Sequence, residues 1–208
     1  MTSQPRGSND PSQLTTVDHL LRQLANGDRE AFDRLLPLVY DELHHLAMQH
    51  RRRWSGDETL NTTAIVHEAY VRLAGTPEPA WHGQPHFMAV ASRAMRHVLL
   101  DNARRQQRQK RGGAQERIPW HDVETALGGG GNAVEARAEA LIALDEALRR
   151  LEQHDARQSR IVECRFFGGM SIQETAVALG ISPATVKRGW TMAQAWLHRE
   201  LTTALETG

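Results

Sequence analysis

The chain has 208 residues, enough for one or two small domains. Its 25 Lys and Arg balance 25 Asp and Glu, so the net charge of zero says nothing about partners and only the distribution of charge can. Cys164 is the only cysteine, which excludes an internal disulfide, and no apolar run approaches the roughly 20 residues needed to cross a bilayer.

The N-terminal stretch "MTSQPRGSNDPSQ" (1–13) lacks the apolar core of a signal peptide and reads as a disordered tail. With a lone thiol that suits a reducing cytosol, the expected location is cytoplasmic, with no membrane partner. Cys164 itself is expected to serve as a small buried apolar group. Beyond the tail, strand signals are nearly absent and apolar residues recur at helical spacing. The pattern predicts helices over 15–26, 29–52, 61–74, 85–109, 134–152, 156–167, 171–179 and 183–203, an all-α fold. Gly27-Asp28 separates the first two helices. Pro37 lies inside the second, where a missing N–H and a ring clash kink a helix. His44, His45 and His50 on that helix, with His67 on the next, are the metal-ligand candidates. Paired ligands on one helix need i, i+4 spacing. His45 and His50 miss it and no carboxylate pairs with them at motif spacing, so neither a metal nor a cofactor is expected.

The third helix, "LNTTAIVHEAYVRLAG" (60–75), carries Ile65, Ala69 and Leu73 on one stripe, widened by Val66 and Tyr70. Asn61 can cap it. A first turn favours Asp or Glu, because the helix dipole leaves positive partial charge there. This one has Asn61, Thr62, Thr63 and Ala64 instead, two hydroxyls and no carboxylate. The segment "GTPEPAWHGQP" (75–85), with three prolines and two glycines, is a loop.

"FMAVASRAMRHVLLDNARRQQRQKR" (87–111) follows as one long helix with Phe87, Ala91, Ala94 and Val98 on its buried stripe. Arg93, Arg96 and His97 lie largely off that stripe, and the helix ends in Arg104, Arg105, Arg108, Lys110 and Arg111. From Arg93 to Arg117 there are eight Lys or Arg against two acids, and from Ile118 to Asp155 three against eight. A basic block followed by an acidic one points toward nucleic acid. The stretch "RGGAQERIPWHDVETALGGGGNA" (111–133) has the glycine content of a flexible tether. Two helical domains, 14–111 and 134–205, are therefore expected on a flexible linker, 112–133.

"SIQETAVALGISPATVKRGWTMAQAWL" (171–197) has the residue types of a helix-turn-helix at the right offsets. Ala176 lets two helices approach, Gly180 supplies a positive φ in the turn, and Val186 anchors the second helix. Ser182 can cap that helix and Pro183 fits its first position. Val186, Trp190, Ala193 and Leu197 form the inner stripe. Ala184, Thr185, Lys187 and Arg188 remain outside, at the end of a recognition helix that enters the major groove. Lys187 and Arg188 can meet phosphate or guanine edges, and Thr185 a base or a phosphate.

Taken together, these segments resemble the extracytoplasmic-function (ECF) sigma factors, the small bacterial class that directs RNA polymerase to promoters. The likeness runs from Leu14 to Leu205. "TAIVHEAYVRL" (63–73) is similar to the family's region-two helix of the type "E-D-L-V-Q-E-V-F-L-R-L". Phe87, Arg93, Ala94, Met95, Arg96, His97, Asp101, Arg104 and Arg105 follow its "F…R-I-A-R-N…D…R-R" pattern, and "IVECRFFGGMSIQETAVALGISPATVKR" (161–188) resembles region four. The resemblance implies that residues 14–111 bind the polymerase clamp helices and open the −10 element. It implies that Arg93, Arg96, His97, Asp101, Arg104 and Arg105 lie near −10 DNA, with His97 in place of the usual Asn. It also implies that the loop 75–86 holds a flipped base, on which Trp81 and His82 can stack. Residues 134–205 would dock on the polymerase flap and read the −35 element through Ala184, Thr185, Lys187 and Arg188. The linker, with Asp122 and Glu124, would thread a basic channel of the enzyme. No chemistry is implied for the chain itself.

The family's clamp-binding helix often starts with an acidic Asp-x-Glu-Asp cluster. Asn61, Thr62, Thr63 and Ala64 stand there, with Thr63 in the Glu place and Glu68 further along the same surface. Lost charge-assisted bonds are worth roughly 1.5–3 kcal/mol each, and losing two weakens binding by roughly a hundredfold or more. A phosphate on Thr63, or secondarily on Thr62, would restore charge of about −1.5 to −2 at a helix end that favours anions. A Ser/Thr kinase is then an expected partner. An anti-sigma partner stays open, since no extra domain of the chain would act as one. The rival reading is a stand-alone helix-turn-helix regulator, which explains 156–203 but not 61–111.

Overall fold

The computed structural model describes residues 11–54, 60–75, 81, 83–109 and 134–206, and among them there are eight α-helices, one π-helical turn and no strand. Helices α1 (Pro11–Ala25), α2 (Glu30–Trp54), α3 (Thr62–Gly75) and α4 (Gly83–Gln109) form the N-terminal half. The C-terminal half has α5 (Val134–His154), α6 (Ala156–Val162), the π-helical turn Glu163–Phe167, α7 (Ile172–Leu179) and α8 (Pro183–Glu206). The linker 112–133, with Asp122 and Glu124, lies outside the described residues, as do Lys110, Arg111, His82 and the tail to residue 10. Among the described residues no helix is long and apolar enough to cross a membrane.

Local chemistry sets the helix ends. Asp28 Oδ1 accepts from the N–H groups of Glu30 and Ala31 at 3.1 and 3.3 Å and starts α2 after the Gly27 turn. Helix α1 begins at Pro11, so 11–13, expected in the tail, are helical; proline fits a first turn, where its missing N–H has no helical acceptor. Helix α2 runs on through Pro37. The span expected as a single helix, 156–167, changes at Val162: the Gly168 N–H reaches back five residues to the Glu163 carbonyl at 2.9 Å, the mark of a π turn.

The apolar faces close one continuous core. Val17, Leu35, Val39, Leu43, Ile65, Ala69, Phe87 and Met95 from the first half are buried in the same cluster as Leu141, Leu144, Leu148, Phe167, Ala193 and Leu197 from the second. Helix α4 is the shared element. It packs on α1, α2 and α3 on one side and on α5, the π turn and α7 on the other. Its burial therefore extends beyond the stripe Phe87, Ala91, Ala94 and Val98 to Met95, Leu99, Leu100 and Ala103. The expectation of two helical units gave no contact between them; in this form of the molecule they share an interior.

Candidate nucleic-acid interface

The helix-turn-helix is built by its own sequence. Ser171 and Glu174 form a reciprocal capping box that opens α7. Gly180 closes it at φ 64°, the left-handed conformation that favours glycine. Ser182 Oγ accepts from the Thr185 N–H at 3.2 Å and starts α8. Ile161, Ala176 and Val186 bury together between the helices. A second glycine lies here: a Cβ on Gly189 would sit 2.6 Å from Ile161 Cδ1, so a larger residue would require the Ile161 side chain to move. Beyond these anchors Ala184, Lys187 and Arg188 are exposed. Thr185 is half-buried, and its hydroxyl lies 2.8 Å from Ser182 Oγ. The four residues share the outer start of α8.

The basic row of α4 is placed differently. Arg96, expected largely off the buried stripe, is only 4% exposed. Its Nη1 donates to Asp145 Oδ1 at 2.5 Å and its Nη2 to Glu163 Oε1 at 2.6 Å, both carboxylates coming from the C-terminal half. Asp145, 2% exposed, also receives Arg104 at 3.2 Å and Arg149 at 3.0 Å. Arg93 reaches Glu163 at 3.5 Å and Glu152 at 3.9 Å. His97 is half-buried, and desolvation, then the Arg96 and Arg93 charges, lowers its imidazole pKa to about 4. Asp101 is exposed and pairs with Arg72 of α3 at 2.8 Å, while Arg105 is exposed on the same helix.

Trp81 stands before α4, partly buried against the core, with its ring 5.4 Å from Phe87 and 5.9 Å from His86. At the start of α3, Asn61 caps as expected: its Oδ1 accepts from the Ala64 N–H at 2.7 Å. Thr63 is exposed, Thr62 and Ala64 are half-buried, and the first turn holds no acid. Glu68 is exposed and pairs with Arg72 at 3.4 Å. Of the four candidate histidines, His45 pairs with Gln49 at 2.8 Å, His50 bonds Ser92 Oγ at 3.1 Å, His44 stacks on Tyr40 at 6.0 Å and His67 is exposed. The Cys164 thiol is buried, and desolvation, then Glu163, pushes its pKa up to about 12.

Several residues at the junction of the halves carry no motif. Phe167 stacks on His50 at 6.0 Å and on Trp54 at 6.1 Å, and the Arg96 guanidinium lies 5.1 Å over its ring. Arg53 donates to the Phe166 carbonyl at 2.8 Å and lies over the Phe166 ring at 4.7 Å. Burial, then the Arg53 and Arg96 charges, lowers His50 to about 3. The one sequence signal for this junction is the acidic block after the basic one, which holds Asp145 and Glu152.

The family model described as ECF sigma factor matches residues 14–203. A comparison with curated proteins found no match.

Proposed function

The chain belongs to the ECF sigma factor family, which directs RNA polymerase to promoters, and on that premise we propose how its surfaces share the task. The match covers both halves, so the stand-alone regulator, which left 61–111 unexplained, is the weaker account. As in the family, the protein is not an enzyme; core polymerase does the chemistry and the sigma factor contributes binding energy. The outer start of α8 reads the −35 element: Lys187 and Arg188 bind phosphate or guanine, and Ala184 and Thr185 add close contact. Helix α4 faces −10 DNA through Arg93, Arg96, His97, Asp101, Arg104 and Arg105, and Trp81 offers an aromatic face for an unstacked base. The start of α3, from Asn61 to Ala64 with Glu68 beyond it, docks on the polymerase clamp, and the C-terminal half docks on the flap.

Phosphorylation of Thr63, with Thr62 as second choice, switches clamp docking on. The observation that carries this is an exposed Thr63 in a first turn with no carboxylate. A phosphate there adds charge of about −1.5 to −2 and three acceptors for cationic clamp residues. A Ser/Thr kinase supplies it. The test is capture of core polymerase by unmodified wild type, Thr63→Ala and Thr63→Glu. Thr63→Glu is expected to bind at least tenfold more tightly than the other two. Equal binding by all three without a kinase defeats the switch.

A further inference from the structure

The acidic block has a use that the family reading leaves unassigned. Asp145 lies within reach of three guanidinium groups, those of Arg96, Arg104 and Arg149. Glu163 meets Arg96 and Arg93, and Glu152 meets Arg93. Three of these four arginines belong to the α4 row assigned to promoter DNA. A carboxylate offers a guanidinium the same pair of acceptor oxygens that a phosphate does. We propose that Asp145, Glu152 and Glu163 act as an internal mimic of DNA phosphate, covering the α4 arginines in the free chain and yielding them when promoter DNA is engaged.

The construction favours a reversible latch. A buried ion pair gains little over its desolvation cost unless every donor is satisfied. Here Arg96 Nε is buried without a partner among the described residues, so the pairing is incomplete. Phe167 against His50 and Trp54, with Leu141, Leu144 and Leu148 in the same core, makes the apolar side of the junction, and the carboxylates decide which anion α4 holds. A ligand that needs the open form binds with an apparent affinity reduced by the open fraction, so weakening the latch tightens DNA binding without adding a contact.

The proposal rests on reading α4 as the −10 helix, and the experiment separates the two. The full chain is compared with Asp145→Asn/Glu163→Gln for radius of gyration in solution and for affinity toward a fluorescent single-stranded oligonucleotide of mixed sequence. Capture by core polymerase is recorded in parallel with Thr63→Glu added to each form, because the unmodified chain is expected to dock weakly. The double variant is expected to be more extended and to bind the oligonucleotide about tenfold more tightly. Asp41→Asn/Glu146→Gln, the same charge change at exposed positions, controls for net charge and is expected to stay near wild type. Helical content by circular dichroism checks folding, and Glu163→Gln alone, the milder change, should give a smaller gain of the same sign. Wild-type compactness and affinity in the double variant, opening without tighter binding, or an equal gain in the control pair each overturn the latch. A gain specific to the double variant, with neither form captured by polymerase, upholds the latch and counts against the promoter reading instead.

Discussion

The two helices assigned to DNA are in opposite states. Helix α8 presents Ala184, Lys187 and Arg188 to solvent, whereas α4 has its central arginine buried under two carboxylates from the other half. The first surface is made by local rules, a cap, a turn glycine and a proline at the first helical position. The second depends on residues some 50 to 70 positions away, which pair with it only when the halves meet. A reading surface made locally stays available; one that shares its charges with another element is available only after a conformational step.

The largest expected effect comes from breaking the apolar side of that junction. Phe167 is almost fully buried, and Phe167→Ala should cost about 3–5 kcal/mol, read as a fall in the urea midpoint. Both halves should lose cooperativity together, because their core is continuous. Arg96→Ala comes next. Removing one partner from a buried pair costs about 3–5 kcal/mol, and Arg104 and Arg149 remain to hold Asp145, so the lower end is expected. Lys187→Ala, on the open helix, should change stability by no more than about 0.5 kcal/mol, while lowering the salt slope of promoter binding by about one.

Acid should act on the covered region through its two desolvated imidazoles. His50 and His97 have folded-state values of about 3 and about 4 against an ordinary 6.5. Both stay neutral in the folded chain while the unfolded chain takes up protons. Their contribution is complete above pH 6.5 and is lost as pH falls toward those folded values. Each removes up to about 1.4 kcal/mol per pH unit in that window. His50→Gln should lessen the slope of stability against pH by about one proton, measured by denaturation at stepped pH. The effects at the two helix starts are smaller than those at the junction. Asn61→Ala and Ser182→Ala should each cost about 1 kcal/mol by loss of the cap, measurable by thermal melting.

Most helix positions were legible because the helices bury periodic stripes and several begin or end at a glycine, proline or capping side chain. Ile65, Val66, Ala69 and Leu73 are buried as the spacing predicts, and so are Val186, Ala193 and Leu197. Asn61 and Ser182 cap where expected. The exposure of Lys187 and Arg188 followed from the same logic. Arg96 did not: periodicity reports which face a helix buries against its nearest neighbours, and α4 is covered on a second face by a distant segment. Charge order alone, basic then acidic, hinted at the partner. Gly189 carries no sequence signal for its place, because a glycine inside a helix reads only as a mild cost until the neighbour at 2.6 Å is known. The π turn at Glu163–Phe167 has no periodic signature, since five residues cannot distinguish it from an α-helical turn.

Run-off transcription from a single promoter tests the central claim most directly, with core polymerase supplied with the unmodified chain or with Thr63→Glu. Transcript from Thr63→Glu should exceed that from the unmodified chain at least tenfold, because the carboxylate returns charge to the start of α3, the surface proposed to dock on the clamp. Full and equal output from the unmodified chain would contradict the account.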